Sequence, residues 1–384
     1  MENRNIILAS KQASKRVDEI DIIKGIAIIL MVAGHADSPF THFIYLFHMA
    51  VFFIASGFNF KLQYDKKGVQ YYIRRRVEGL YLPYVLWNIF YTVLNNILID
   101  LNVYTNNPQI SKYVPSDFVY ITTPLTLRQA AISVIKIIFF RGGTQLGGAF
   151  WFLRVLFIIT IAYAIIDCII EKQNVNGENK LILYQTLVSI TFLLVGYTMH
   201  LHDWTFYGVE SAASLYCLFH LGRLMKILRG RIKSKFYLKQ SFYFFGLILS
   251  YFVLILLNSR GSVNLNSNNY KSPFFLLLSS ISGWYFMWML AYYLQKWEMV
   301  KRILIMVGKR TMAIVEMHFL AFKVVAIIVI HVYSLPKYCL AAFPNLWGTK
   351  GWWWLAYTMV GVAIPIIIRL VYEKIRTLDL WQML

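Results

Sequence analysis

The first strongly apolar stretch of the chain reads Asp21-Ile-Ile-Lys24-Gly25-Ile-Ala-Ile-Ile-Leu-Met-Val-Ala-Gly34-His35. A helix needs ~20 mostly apolar residues to cross the hydrocarbon core of a bilayer. Taken as residues 22–38, this stretch is close to that length and predicts a membrane-spanning helix. Backbone groups inside a bilayer must hydrogen-bond within the protein, so repeated stretches of this kind predict a helical bundle.

The composition of the whole chain agrees with this interpretation. Of its 384 residues, 58% are hydrophobic and 15% are charged, whereas soluble globular chains have ~45–50% and ~25%. These values exclude a soluble enzyme, a disordered chain and a secreted disulfide scaffold. Residues 1–20 are polar and charged, without the apolar core of a cleaved signal. We expect structural thiols and no metal site, because the cysteines lack ligand spacing: Cys168, Cys217 and Cys339.

Nine further stretches are similar, which predicts an all-α polytopic membrane protein with about ten transmembrane helices. Another apolar stretch, 130–140, is short and bounded by arginines, so we expect it to re-enter or to lie in the interface. A single transmembrane domain then covers 21–373, between tails at 1–20 and 374–384. The predicted spans are 22–38, 43–60, 82–101, 149–168, 181–199, 207–225, 241–258, 273–294, 311–334 and 353–371.

Positive charge is distributed unevenly among the connecting segments. The chain has 38 Lys and Arg residues against 18 Asp and Glu, a net charge of +20. With the N-terminus inside, 26 of the 38 fall in cytoplasmic segments and 8 in external ones, as the positive-inside rule requires. Both tails are therefore predicted to be cytoplasmic. Because the basic residues are divided among short loops and tails, we expect contact with a lipid bilayer and not with nucleic acid.

Lys24 and His35 share one face of the first predicted helix. They are eleven residues apart, which is ~1100° of rotation, ~20° from alignment, and ~16 Å of rise. A cation then lies near the cytoplasmic mouth and an imidazole deep toward the outer side. A long acyl donor with a charged head and a reactive tip would need that geometry. The structural alternative is that Lys24 pairs with Asp21 and that His35 is a satisfied core histidine.

Two further groups of residues extend this pattern. His48 begins the second span at its outer end, close in sequence to His35, and could contact a substrate or only the lipid headgroups. Arg74, Arg75 and Arg76 follow that span on the cytoplasmic side. Guanidinium groups bind phosphate through paired hydrogen bonds. The alternative for the arginines is orienting charge or contact with anionic lipid.

The order of these motifs resembles the membrane-bound acyltransferase family three. The likeness extends over essentially the whole chain, and its N-terminal block is specific. It rests on Asp21 to His35, Phe47 to Phe58, Arg75 to Tyr84, Phe150 to Leu153 and Thr311 to Phe319. The family implies ten membrane helices, acetyl-CoA or another acyl-CoA as donor, and O-acylation of cell-envelope glycans. It also implies a multi-pass protein of the bacterial cytoplasmic membrane.

The resemblance also implies roles for individual residues. The catalytic histidine of the first helix corresponds to His35, and the family's Lys/Arg-x10-His motif corresponds to Lys24 and His35. The family's Arg-x-x-Arg motif falls on Arg76 and Gly79, where the second position has no side chain to hold a phosphate. Arg74 or Arg75 could take its place. Some relatives carry a fused hydrolase-like domain, and we expect a stand-alone form here.

Other charged residues within the predicted spans need separate interpretations. Glu316 and Lys323 are seven residues apart and share a helix face, so we expect them to neutralise each other. Alternatively, Glu316 orients the catalytic histidine and is part of the catalytic group. His318 and Arg154 are candidate substrate-binding residues, with a buried ion pair as the alternative for Arg154.

These observations predict an acyltransferase in which His35 is the general base. A histidine suits this role because its pKa of ~6.5 lets it accept and return a proton near neutral pH. Lys24 and the arginines would hold the phosphates of acyl-CoA, and the acceptor would be an envelope polysaccharide or a lipid-linked sugar. A direct transfer and a transfer through an acyl-enzyme both remain open. The alternative function is a polytopic transporter or flippase for an envelope lipid or sugar.

Overall fold

The computed structural model describes residues 18–173, 178–233 and 240–382 and confirms a mostly helical chain. Most of the predicted tail 1–20 lies outside the described residues. The first eight helices are α1 Asp18–His35, α2 Thr41–Tyr45, α3 His48–Phe58, α4 Lys66–Arg76, α5 Leu82–Val93, α6 Asn95–Asp100, α7 Leu127–Ile138 and α8 Trp151–Lys172. The remaining elements are α9 Glu178–Leu201, α10 Val209–Lys233, α11 Gln240–Asn258, β1 Val263–Asn264, β2 Asn269–Tyr270, α12 Pro273–Leu294, α13 Glu298–Lys309, α14 Thr311–Val332 and α15 Trp353–Gln382.

Six helical segments of the described chain are long and apolar enough to cross a membrane, which supports a multi-pass protein. They correspond to six of the ten predicted spans. The other four predictions fall on helices that are shorter, interrupted or more charged, namely α1, α5, α10 and α11, and there the crossing stays a prediction. The six segments are Thr41–Phe58, Gly148–Lys172, Asn179–Leu201, Pro273–Leu294, Thr311–Val332 and Trp353–Thr377.

The predicted span 82–101 is not one uninterrupted helix. It divides at Leu94, whose φ of −81° and ψ of 1° end α5 before α6 begins. At its start, α5 continues directly from α4 through a π-helical segment, Val77–Tyr81, in which the Leu82 amide donates to the Val77 carbonyl. Pro83 has no amide hydrogen to donate, which favours such a local change of helix type. Arg76 therefore lies on the same continuous rod as α5.

The apolar stretch 130–140 forms most of α7, a helix of 12 residues. At 1.5 Å per residue it is about 18 Å long, too short to cross a bilayer. Its start is well defined, because Thr126 and Gln129 form a capping box. Leu127, at its first position, is 89% exposed. These features agree with a helix that lies in the membrane interface.

Glycines allow close contacts around α1 and α3, the two helices that carry the predicted histidines. A side chain at Gly25 would collide with the Leu304 carbonyl of α13, and one at Gly308 would collide with the Asp21 carbonyl of α1. Gly57 of α3 lies in the same way against the backbone of α10. Small residues at such crossings let membrane helices approach to backbone contact. The packing therefore holds α1 and α3 firmly at the centre of the bundle.

The last helix is longer than predicted. α15 continues to Gln382, beyond the predicted end of the span at residue 371 and into the predicted tail 374–384. Arg310 and Glu373 form an ion pair of 2.7 Å that joins this extension to the start of α14. The segment after the predicted span is therefore an ordered helical extension over its described residues.

Candidate active site

The predicted site residues surround a cavity of about 750 Å³ between α1, α3, α8 and α14. Its two ends differ in chemistry. Lys24 and Arg76 line one end, which we call the cationic end. The opposite end, which we call the neutral end, has no charged side chain among its described lining residues. Its polar lining comprises Tyr120, Thr122, Thr144, Gln145, Asn264 and Asn266.

The middle of the cavity is mostly apolar and contains two histidines. Its walls come from helices that cross the bundle in both directions. His35 is the last residue of α1, and His48 is the first residue of α3, so the antiparallel helices bring both imidazoles to the same level. The apolar lining here includes Ile28, Met31, Met49, Phe52, Phe152, Leu153, Leu156, Val315 and Phe319.

His35 is half-buried and has a second histidine as its closest polar partner. Its Nδ1 lies 3.0 Å from Nε2 of His318. The ring of Phe319 packs on the same imidazole, with centroids 4.9 Å apart. Asn345 donates to the His35 carbonyl at 3.0 Å, which secures the end of α1. The catalytic candidate is therefore held on several sides and opens toward the cavity.

His318 and His48 make similar contacts with the backbone but different contacts with the cavity. In His318, Nδ1 lies 2.8 Å from the Ile314 carbonyl, one helical turn earlier. In His48, Nδ1 lies 2.9 Å from the Ile44 carbonyl. His48 lines the cavity, whereas His318 is fully buried behind His35 and does not. The predicted contact with substrate thus agrees with the position of His48 and not with that of His318.

Lys24 combines the two interpretations of its sequence position. Its Nζ lies 3.4 Å from the Asp21 carboxylate, as the structural alternative expects. It also lines the cationic end of the cavity, as the functional interpretation expects. The ion pair therefore does not remove Lys24 from the site, and the carboxylate holds the ammonium group at the cavity wall.

The three neighbouring arginines do not act as one cluster. Arg76 lines the cavity, and its guanidinium lies 4.7 Å from the ring centroid of Tyr72. Arg74 is exposed and pairs with Glu78 at 2.7 Å, and Arg75 is exposed as well. Successive helical positions point about 100° apart, so only one residue of such a run can face a narrow cavity.

Two more predicted site residues, besides His318, Arg74 and Arg75, lie outside the cavity. Glu316 interacts with Arg369 and with the indole of Trp87, on a face of α14 that does not line the cavity. Arg154 donates to the Phe140 carbonyl at 3.1 Å. The structure does not bring either of them into contact with His35.

Lys323 makes a different contact from the predicted ion pair with Glu316. Its Nζ donates to the carbonyls of Leu340 and Ala342, both at 2.9 Å. The distance along the helix explains this, because seven residues correspond to about 10 Å of rise. Lys323 instead holds the loop that carries Phe343, and Phe343 lines the cavity next to Phe319.

The neutral end is the part of the site that sequence reasoning missed. Tyr120 and Thr122 belong to the loop before α7, and Gln145 precedes α8. Asn264 and Asn266 belong to the β1–β2 hairpin between α11 and α12. The run Asn264-Leu-Asn266-Ser-Asn-Asn in the polar loop was the available signal, since amide side chains bind polar ligands through both donors and acceptors.

Comparison with known proteins adds one match. No curated protein and no solved structure matches the chain. A family model described as an acyltransferase domain matches residues 17–370, which is nearly the whole chain and includes the helices around the cavity. The helical bundle with its central histidines and this match lead to the same conclusion: the chain belongs to acyltransferase family 3.

Proposed function

We propose that this protein transfers an acyl group, preferably acetyl, from cytoplasmic acyl-CoA to a hydroxyl of a cell-envelope saccharide in the bacterial inner membrane. Membership of the family supports membrane acyltransferase activity. The observation that carries the finer proposal is the cavity itself. It has cations at one end, neutral polar groups at the other, and His35 between them.

The donor enters at the cationic end in this proposal. Lys24 and Arg76 offer an ammonium and a guanidinium to the phosphates of coenzyme A, which carry several negative charges. The thioester arm then extends along the apolar middle toward His35, about 16 Å of helix rise from Lys24. Met31 and Phe52 on this path suit an acyl chain and its thioester.

The acceptor enters at the neutral end. A neutral sugar presents hydroxyl groups that both donate and accept hydrogen bonds, and amide side chains such as Asn264 and Asn266 can satisfy both functions. Tyr120 and Phe343 add aromatic surface at the same end. A capsule, O-antigen or exopolysaccharide unit and a lipid-linked sugar all share this chemistry.

His35 serves as the general base. It accepts the proton of the acceptor hydroxyl while the oxygen attacks the thioester carbonyl carbon. The carbon–sulfur bond then breaks, and the protonated imidazole returns the proton to the departing coenzyme A thiolate. The products are an O-acyl ester and free coenzyme A. One proton moves from the hydroxyl to the thiol, so no further reactant is required.

A membrane assay with radiolabelled acetyl-CoA tests the proposal. Membranes that contain the protein should incorporate label into envelope glycan, and the His35→Ala variant should not. A His331→Ala variant is a suitable control, because His331 is exposed at the end of α14 and does not line the cavity. Energy-dependent movement of a lipid or sugar without any incorporation of label would instead support the transporter alternative.

A further inference from the structure

We infer that His318 is a positioning residue that fixes the tautomer of His35 and so makes Nε2 of His35 the basic nitrogen. The inference rests on the proposed function, since it concerns the same transfer reaction. It differs from the sequence-based expectation that His318 binds substrate. A chain of contacts runs from the Ile314 carbonyl through the His318 ring to the His35 ring.

The Ile314 carbonyl determines which nitrogen of His318 carries the proton. Its Nδ1 lies 2.8 Å from the Ile314 carbonyl oxygen. A carbonyl oxygen can only accept a hydrogen bond, so this ring nitrogen must be the donor. His318 therefore carries its proton on Nδ1, and the helix backbone itself determines the assignment.

The apolar surroundings of His318 favour the neutral ring. The ring is fully buried, with the rings of Phe319 and Phe322 at centroid distances of 4.0 and 5.8 Å. A second proton would place a positive charge in this apolar environment, which is costly. The neutral ring has one hydrogen, already on Nδ1, so Nε2 carries a lone pair and accepts a hydrogen bond.

The protonation of His318 in turn determines which nitrogen of His35 carries the hydrogen. Its Nδ1 lies 3.0 Å from the accepting Nε2 of His318, so His35 Nδ1 must carry the hydrogen. The ring planes differ by 13° and the centroids are 5.2 Å apart, so the two rings meet edge to edge. A hydrogen bond near the plane of both rings has favourable geometry. In the neutral resting ring, His35 Nε2 then has the lone pair.

The same chain of contacts stabilises the product of proton transfer. When His35 accepts the acceptor's proton on Nε2, it becomes an imidazolium with hydrogen on both nitrogens. His318 Nε2 still accepts from Nδ1, and the Ile314 carbonyl still accepts from His318. The charged intermediate thus keeps every hydrogen bond of the resting state, and the rings need not reorient.

His48 shows that a hydrogen bond to a backbone carbonyl does not by itself couple one histidine to another. Its Nδ1 meets the Ile44 carbonyl at 2.9 Å, nearly the same geometry as in His318. Its ring packs against Tyr45, with centroids 5.1 Å apart, rather than against another histidine. Only the contact with His35 gives His318 a role in the chemistry.

Paired variants of His318 test the inference by activity. Glutamine places an oxygen near the position of the imidazole Nε2, where it can accept from His35, whereas asparagine is too short. We expect His318→Asn to lower kcat by ~10²-fold, less than removal of His35 itself, with the KM for acetyl-CoA nearly unchanged. His318→Gln should recover at least about tenfold over His318→Asn, since one hydrogen bond corresponds to about that factor. A His318→Gln variant as slow as His318→Asn would overturn the inference.

His220→Gln is the matched control. His220 is also buried and hydrogen-bonded through both nitrogens, to Tyr163 at 2.9 Å and Thr186 at 2.8 Å, but it lies outside the cavity. Its replacement should leave kcat close to the wild-type value. A comparable loss in this control would mean that the activity follows helix packing and not the tautomer of His35.

Nitrogen-15 NMR of the wild-type protein in lipid reports the tautomer of His35 directly. With labelled histidine, and with His35→Gln used only to assign the signals, we expect a protonated Nδ1 and a bare Nε2 on His35. The reverse pattern overturns the inference. If the wild type lacks transferase activity, the proposed function fails while this spectrum still reports the tautomer. If His35→Ala is inactive and His318→Asn is not, the inference alone fails.

Discussion

Two of the buried polar clusters in the described part of the bundle are built in opposite ways. In the first, Asp167 accepts from Arg223 at 2.7 Å, from Tyr64 at 2.8 Å and from Gln185 at 3.0 Å. In the second, His35 has one polar side-chain partner among the described residues, His318, and otherwise faces a cavity. The first cluster joins α8, α9 and α10 through one buried ion pair and its neutral donors, away from the cavity. The second is open on one side.

The difference agrees with a structural role for Asp167 and with the chemical role proposed for His35. A buried carboxylate is costly unless neighbouring groups compensate it, and Asp167 has three such neighbours. The carboxylate itself is fully buried, and its network lies away from the cavity, so it joins helices. The histidine pair leaves one nitrogen for an incoming group. Buried polar side chains in a membrane protein are therefore better candidates for a reactive site where they line a cavity that a substrate can enter.

The largest effect is expected for His35→Ala. Removal of the base should lower kcat by ~10²–10⁴-fold, while thermal inactivation in detergent stays close to the wild-type curve. The label-transfer assay measures the first quantity. A variant that loses both activity and stability would erase the contrast between the two clusters.

The next effect is on stability and comes from the other cluster. Arg223→Ala leaves the Asp167 carboxylate buried without its ion pair and should cost about 3–5 kcal/mol. Thermal inactivation in detergent should report it, and the folded fraction should keep its kcat. The double variant Asp167→Leu with Arg223→Met removes both charges and should recover much of the loss. A double variant as unstable as Arg223→Ala would contradict the structural role of this ion pair.

A smaller effect is expected at the cationic end. Arg76→Ala should raise the KM for acetyl-CoA about 10-fold or more, since a hydrogen bond to a charged group contributes ~1.5–3 kcal/mol. Arg74→Ala is the matched control, because Arg74 is exposed and pairs with Glu78. Its effect should stay within about threefold, as for other exposed ion pairs. Equal effects of the two variants would favour general surface charge over a defined phosphate site.

The smallest effect is expected at the neutral end. Asn264→Ala and Asn266→Ala should each raise the KM for the acceptor about three- to tenfold, the contribution of one neutral hydrogen bond. The KM for acetyl-CoA should not change. Initial-rate kinetics with the concentrations of both substrates varied would measure the two KM values separately. A rise in the KM for acetyl-CoA alone would reverse the proposed assignment of the two ends.

Local periodicity accounts for the part of the site that could be predicted. Lys24 and His35 lie on one helix, so their common face follows from helical geometry, and both line the cavity. His48 follows after a short loop, which makes the two helices antiparallel neighbours. A short separation along the chain restricts the separation in space, so the sequence can predict these neighbours.

Contacts between distant segments account for the part that could not. The 3.0 Å contact joins His35 to His318, which are 283 residues apart in the chain. Arg223 pairs with Asp167 on another helix, 56 residues away in the chain. Asn264 and Asn266 reach the cavity because a hairpin folds over its end. Helical periodicity carries no information about which helices or loops meet.

The apolar middle of the cavity has a consequence for the proton gradient of the cell under the proposed function, in which donor and acceptor enter at opposite ends. A passage from one face of a membrane to the other would dissipate the gradient if a continuous file of water filled it. Met31, Phe52, Leu153 and Phe319 line the middle of the cavity with side chains that hydrogen-bond water weakly or not at all, and apolar constrictions of this kind tend to stay dry. The lining that suits an acyl chain would then also limit proton leakage across the membrane.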